Sequence, residues 1–316
     1  MKLGVILAGL AGLALAVFFV VHIGFAAVVA AVTSVGWSGF ALLCLYQLAT
    51  FVILGAAWFV LTPEAGIWSF VWGRVVRDAA GEVLPFSQLG GILIGVRALI
   101  LRGITAPSAF ASAIVDVTTE MMAQIVFTLL GVALFLAHST HALPVATVSG
   151  IVFVLAGSVA FVVLQRRGIA LAGTLAERFL PAVARQTHAF HDAVSAIYRH
   201  PARLAASAAI HLAGWIASAG ATWLSVRLIG GHIGIAGALA VESILCALRS
   251  AAVVVPGALG VQEAGYAMLM PLFGLTPEVG LAVSLLKRAR EIAIGAPVLL
   301  MWQGLEGRRA FAAPDA

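Results

Sequence analysis

Long apolar runs broken by short polar interruptions set the pattern of this chain. Leu3–Val21 and Phe40–Leu61 each approach or exceed the ~20 residues that cross a bilayer as a helix, and Thr62 and Pro63 close the second. Lys2 ahead of the first run imitates a secretory leader, but the run is longer than the ~7–15 residues of a leader core. It reads as a first span. Further spans are expected from about Pro107 to Ala137, Val145 to Leu164, Leu204 to Ile229 and Pro277 to Gln303.

Two regions do not fit that pattern. Ile67–Val76 is apolar but carries Arg74, with Arg77, Asp78 and Glu82 close behind, and breaks at Pro85 before a short apolar stretch, Ser87–Leu101. Ile235–Val255 likewise breaks at Pro256-Gly257 before a short stretch ending near Leu272. Neither short piece spans ~30 Å alone, so both regions read as re-entrant helical hairpins, whose irregular backbone survives only where protein or water satisfies it. Residues 170–199 differ again. Leu171, Leu175, Phe179, Val183, Phe190, Val194 and Ile197 recur at helical spacing between charged residues, which predicts an interfacial amphipathic helix bent at Pro181. His188 and His191 lie on its polar face without a carboxylate or thiol to complete a metal site.

Composition sharpens the class. Apolar residues make up 62% and charged residues 10% of 316, and mean hydropathy is +1.10. Soluble domains carry roughly 25% charge, so the fold class is all-α and polytopic: about six transmembrane helices plus two broken hairpins in one integral-membrane domain, residues 1–316. The formal charge of +5 is spread without a contiguous basic run, so it gives no nucleic-acid signal. Lys2, Arg74, Arg77, Arg102, Arg166, Arg167, Arg178, Arg185, Arg199, Arg203, Arg308 and Arg309 fall on one side of the expected topology, whereas the opposite loops 24–38, 138–144 and 230–234 hold no Lys or Arg. The positive-inside rule then puts both termini in the cytoplasm. Cys44 and Cys246 lie in apolar runs and read as small packing residues.

The broken regions match at a constant offset of 171 residues: Pro85 with Pro256, Gly103 and Thr105 with Gly274 and Thr276, and Glu120 with Glu291. With the charge-derived topology, the halves (about 40–137 and 204–305, separated by a cytoplasmic segment at about 168–200) point in opposite directions. Inverted repeats with broken helices are a transporter architecture.

The last span holds Lys287, Arg288, Arg290 and Glu291 about 21 Å from its start at ~1.5 Å per residue, near mid-bilayer. Each Lys or Arg costs roughly 2.5–3.5 kcal/mol there, so these side chains should face partners or a cavity. In the first half, Asp116, Glu120 and Gln124 share one helical face, and Asp116 is the positional counterpart of Lys287. Pairing across the halves would neutralise both faces. Two readings stay open: ion pairs that hold the helices together, or the lining of a substrate path. The break Pro256-Gly257-Ala258-Leu259-Gly260-Val261-Gln262-Glu263 would aim the N-terminus of a half-helix into the protein, an end that suits phosphate or carboxylate. Arg97 and Arg249 are further candidates for anionic head groups. The chain shows none of the HExxH, GxSxG or P-loop patterns.

That break resembles the Pro-Gly-Gly-x-Gly-x-x-Glu stretch of the lysylphosphatidylglycerol synthase transmembrane, or flippase-like, family. Pro85-Phe-Ser-Gln-Leu-Gly-Gly91, Arg97-Ala-Leu-Ile-Leu-Arg-Gly103 and Ser284-Leu-Leu-Lys-Arg-Ala-Arg-Glu291 with Trp302-Gln303 are most similar to its hopanoid-biosynthesis-associated branch. The resemblance implies a bacterial inner-membrane protein that moves lipid between leaflets, or a domain of that fold; the sequence itself shows no cofactor signature. Its expected partners are membrane lipids with an anionic or hopanoid head, and lipid-biosynthetic enzymes. An accessory scaffold or integral-membrane enzyme of hopanoid biosynthesis is the alternative. Gly91 stands where many relatives carry Glu, Ala258 replaces a Gly, and the sequence includes no soluble aminoacyl-transferase portion, so lysyl transfer is not expected.

Overall fold

The computed structural model describes residues 25–63, 65–83, 87–138, 181–252 and 258–312, with short helical stretches between 145 and 160. The expected first span at 3–21 and the breaking residues Pro85, Pro256 and Gly257 lie outside them. Helix α1 covers Phe25–Leu61, α2 Ile67–Val83, α3 Ser87–Leu101 and α4 Ala106–His138. The second set comprises α5 at Pro181–Tyr198, α6 at Pro201–Leu228, α7 at Ile235–Ala251 and α8 at Val261–Leu269. Helix α9 covers Pro277–Ala312. Among the described residues, three helices are long and apolar enough to cross a membrane: Val29–Leu61, Ala106–Ala137 and Pro201–Leu228. Their outer faces keep large apolar side chains exposed, as at Leu45, Trp37, Val126, Leu129 and Leu136.

The stretch expected as a loop at 24–38 is helical from Phe25, interrupted only at Gly36, where φ is 71°. Thr33 Oγ1 donates to the carbonyls of Val29 and Ala30, and Ser34 Oγ donates to that of Ala31. A hydroxyl satisfied by its own helix is no obstacle to helix. Helix α9 also runs past the expected end at Gln303 and holds Pro297 inside it. Pro181 opens the described part of α5, and the expected helical residues before it lie outside the described ones. The apolar face of that helix, at Phe190, Val194 and Ile197, is covered by Leu61, Ala111 and Val115. Its residues His188, His191 and Asp192 are exposed.

The repeat is repeated in backbone detail. α3 ends at Gly103 with φ 93°, and the short 3-10 turn Met270–Phe273 after α8 ends at Gly274 with φ 79°. Gly103 N donates to Ile100 O at 3.0 Å and Ile104 N to Leu99 O at 3.3 Å; Gly274 N donates to Pro271 O at 3.1 Å and Leu275 N to Met270 O at 3.3 Å. Both are glycine caps of the Schellman type, in which only glycine takes the left-handed turn without strain. Two residues on, Thr105 and Thr276 accept the first bonds of α4 and α9 from Ala109 N and Gly280 N. All three pairs keep the same offset.

Packing follows the same symmetry. α1 lies against α6, α4 against α7, and α9 against α2. The first half has its own core around Trp58, Phe70, Val96 and Leu99; a second core surrounds Ile244, Leu245, Tyr266 and Met270. The α2–α3 hairpin is closed backbone to backbone at Gly91 and Gly95, spaced as a small-xxx-small contact. A Cβ on Gly91 would sit 2.5 Å from the Arg77 carbonyl oxygen, and one on Gly95 would sit 2.8 Å from Arg77 Cβ. A Glu side chain at position 91 has no room here. Gly91→Val should therefore cost about 1–3 kcal/mol through backbone displacement, read as a lower thermal midpoint in detergent. Gly66→Ala, which meets nothing within 4 Å, should leave that midpoint unchanged.

Candidate functional site

The polar residues of this apolar chain gather between the two halves. Each half first neutralises its own long helix. On α4, Asp116 is fully buried and Glu120 nearly so, with Arg74 and Arg77 of α2 buried against them. Arg77 donates to Asp116 Oδ2 at 2.8 Å and to Glu120 Oε2 at 2.6 Å. Arg74 donates to Glu120 Oε1 at 2.7 Å and to Asp78 at 2.9 Å. The remaining Asp116 oxygen meets His211 Nε2 of α6 at 2.9 Å. Charge-assisted bonds to both oxygens of a carboxylate are the strong kind, and here they offset the desolvation of four ions.

The second half inverts the signs. Lys287 of α9 donates to Glu242 Oε1 of α7 at 2.7 Å and to the Tyr266 hydroxyl at 2.7 Å. Glu242 also accepts from Ser218 at 2.7 Å, from Thr222 at 2.6 Å and from Tyr266 at 2.6 Å. Positions 116 and 287 are thus equivalent, but the expected pairing of Asp116 or Glu120 with Lys287 or Arg288 does not form. The arginines of α2, which the charge pattern puts at the membrane border, fold inward onto α4 and take its carboxylates. Glu242, a lone acid within the apolar run Ile235–Cys246, takes Lys287. An isolated carboxylate in such a run demands a partner, and that signal was available in the sequence.

Ionic links across the halves centre on Glu82. Its carboxylate accepts from Arg249 at 2.8 Å and from Arg288 at 3.4 Å. Arg288 also reaches Glu263 at 3.2 Å and Glu291 at 3.3 Å. Glu263 Oε2 accepts the Gly260 N–H at 2.8 Å, so part of the expected anion-seeking end of α8 is capped by its own side chain. Gln262 is buried and donates to Ser284 at 3.1 Å. Arg97 sits apart from this group, half-exposed and paired with Glu306 at 2.6 Å.

Between the halves lies a cavity of about 230 Å³. Its walls come from α1 (Gln47, Thr50), α2 (Arg74, Arg77, Asp78, Glu82), α4 (Glu120), α6 (Trp215, Ser218), α7 (Glu242, Arg249) and α9 (Lys287, Arg290, Glu291), with Ala258 ahead of α8. Of the residues singled out from sequence, Glu120, Arg249, Lys287, Arg290 and Glu291 line it; Asp116 and Arg288 stand behind, bonded to groups that do. The chamber is lined by charged side chains from both sets of helices. Residues 3–297 match the lysylphosphatidylglycerol synthase TM region family. The chain belongs to that family. Neither a curated protein nor a solved structure matches it. The family is a membrane one tied to lipid, and the exposed apolar helices fit that setting. Arg74, Arg77, Glu242, Tyr266 and Trp215 join the site beyond the residues that spacing alone suggested.

Proposed function

We propose that this protein moves a membrane lipid between leaflets, by passing its polar head through the chamber between the halves while the acyl or polycyclic body stays in the bilayer. One observation carries this reading: the charged cavity is lined from both α1–α4 and α6–α9, two sets of helices with matching glycine caps ahead of their long last helices. Ionisable groups inside a membrane segment belong to a pathway unless they are wholly spent on each other. Two buried ion pairs, Arg77–Asp116 and Lys287–Glu242, stay within one half each. Relative movement of the halves then breaks the Glu82 links, the Asp116–His211 and Arg97–Glu306 contacts, and neutral hydrogen bonds such as Gln124–Ser250. In this reading the chain makes six spans with two re-entrant hairpins in a bacterial inner membrane, both termini are cytoplasmic, and the lipid belongs to hopanoid or anionic-lipid metabolism.

The test is exchange of headgroup-labelled lipid in proteoliposomes that hold only this protein, followed by bleaching from outside. Accelerated loss of the inner-leaflet signal is expected. A signal that stops at the outer-leaflet fraction for phospholipid and hopanoid probes alike contradicts the reading.

A further inference from the structure

The cavity wall is unbalanced in one respect that its charges conceal. Every carboxylate on it already accepts from a cation: Asp78 and Glu120 from Arg74, Glu82 from Arg249, Glu242 from Lys287 and Glu291 from Arg288. Three side chains that line the same cavity each keep a buried nitrogen with no hydrogen-bond partner among the described residues: Arg74 Nη1, Trp215 Nε1 and Arg290 Nε. All three are donors and none can accept. Arg290 is the extreme case. Its side chain is only 7% exposed, and its nearest carboxylate oxygen, on Glu291, is 4.0 Å away. Arg74 is equally enclosed at 5%, with Nη1 3.8 Å from Asp116. Trp215 is held in place by stacking on Phe127, centroids 6.1 Å apart at 15°.

A buried donor without an acceptor costs free energy, and a buried guanidinium costs more. A fold that keeps three on one small chamber is short of an acceptor there. We infer that Arg290, Trp215 and Arg74 form a subsite for an oxyanion, a phosphate or carboxylate that accepts from all three. The chamber's size agrees. Pockets for drug-sized ligands are roughly 300–1,000 Å³, so about 230 Å³ holds a head group and excludes a fused ring system. The subsite lies on α9, α6 and α2, away from the α8 terminus that Glu263 caps. The inference rests on the translocation reading for its lipid source but not for the anion chemistry, which a free phosphate shares.

The subsite has an energetic signature that an ion pair lacks. Removing a structural cation lowers stability, whereas removing an unpartnered buried cation preserves or raises it and loses the ligand. The experiment measures thermal midpoints of the full chain in a neutral maltoside detergent. Probes are dioctanoylphosphatidylglycerol, glycerol phosphate and dioctanoylglycerol. Phosphatidylglycerol should stabilise the wild type and dioctanoylglycerol should not. Stabilisation by phosphatidylglycerol alone assigns the anion to a lipid head; equal stabilisation by glycerol phosphate assigns it to a free phosphate. Arg290→Gln should keep or raise the ligand-free midpoint and weaken phosphate binding by about tenfold or more, the loss expected for a charged hydrogen bond. Trp215→Phe keeps the stacked ring, removes the N–H and should also weaken binding; it decides the matter should Arg290→Gln fail to fold. No stabilisation of the wild type by either phosphate, or shifts that survive in both folded variants, overturns the subsite. So does a fall in the ligand-free midpoint of Arg290→Gln with its phosphate response intact. Leaflet exchange separates the two proposals: exchange without phosphate stabilisation ends the subsite alone, and phosphate stabilisation without exchange of any probe ends translocation alone.

Discussion

Asp116→Ala should be the most damaging single substitution in the described protein, at about 3–5 kcal/mol, the usual cost of breaking a buried ion pair from one side. Asp116 is fully buried, takes the Arg77 guanidinium on one oxygen and His211 on the other, and lies beside Arg74. Without it, Arg77 is left with Glu120 alone, a carboxylate that Arg74 also holds. The measurement is the unfolding midpoint in detergent, with folded yield as a second readout. Adding Arg77→Met should recover much of the loss, because it removes the charge that Asp116→Ala strands. The Asp116–Arg77 cycle should therefore show strong coupling. A cycle between Asp116 and Lys287 should be additive, since neither touches the other's partners. Coupling in the second cycle and not the first would reverse the pairing described above.

Lys287→Met should come next. It leaves the Glu242 carboxylate buried and uncompensated, but Ser218, Thr222 and Tyr266 still donate to it. Three hydroxyl donors soften the penalty, so the expected cost lies toward the lower end of about 3–5 kcal/mol. Combining Lys287→Met with Glu242→Gln should bring the midpoint back toward wild type, because a buried pair replaced by neutral groups is often close to neutral overall. Glu242→Gln alone should be worse than the double variant, since it strands the ammonium. An equal midpoint for the single and double variants would show that Lys287 and Glu242 do not depend on each other.

The long helices and the two Gly-x-Thr caps were legible because they rest on local chemistry. Ser87–Leu101 emerges with the bounds that its apolar run suggests, and Gly103-x-Thr105 and Gly274-x-Thr276 build identical caps. The partners of the buried charges were not legible, because pairing depends on how helices distant in sequence are brought together. Arg74 and Arg77 look like border charges in a one-dimensional profile, yet with Asp78 they share one face of α2 at helical spacing, and packing turns that face inward. Trp215 had no sequence signal at all. Its importance comes from an indole N–H left without an acceptor, which only a folded structure reveals. Residues 24–38 show the opposite error: the expected loop is helical from Phe25 and leaves the helix only at Gly36.

The whole account depends on the two equivalent halves facing opposite sides of the bilayer. Thr105 and Thr276 occupy matching positions just ahead of α4 and α9, and both are exposed. In a background with Cys44 and Cys246 replaced by Ala, single cysteines at these two positions should be labelled by a membrane-impermeant maleimide from opposite sides: Thr105→Cys from the cytoplasm in inverted vesicles, and Thr276→Cys from outside in intact cells. Labelling of both from the same side would mean that the repeat is not inverted, and a chamber passing head groups between two opposed halves would lose its basis.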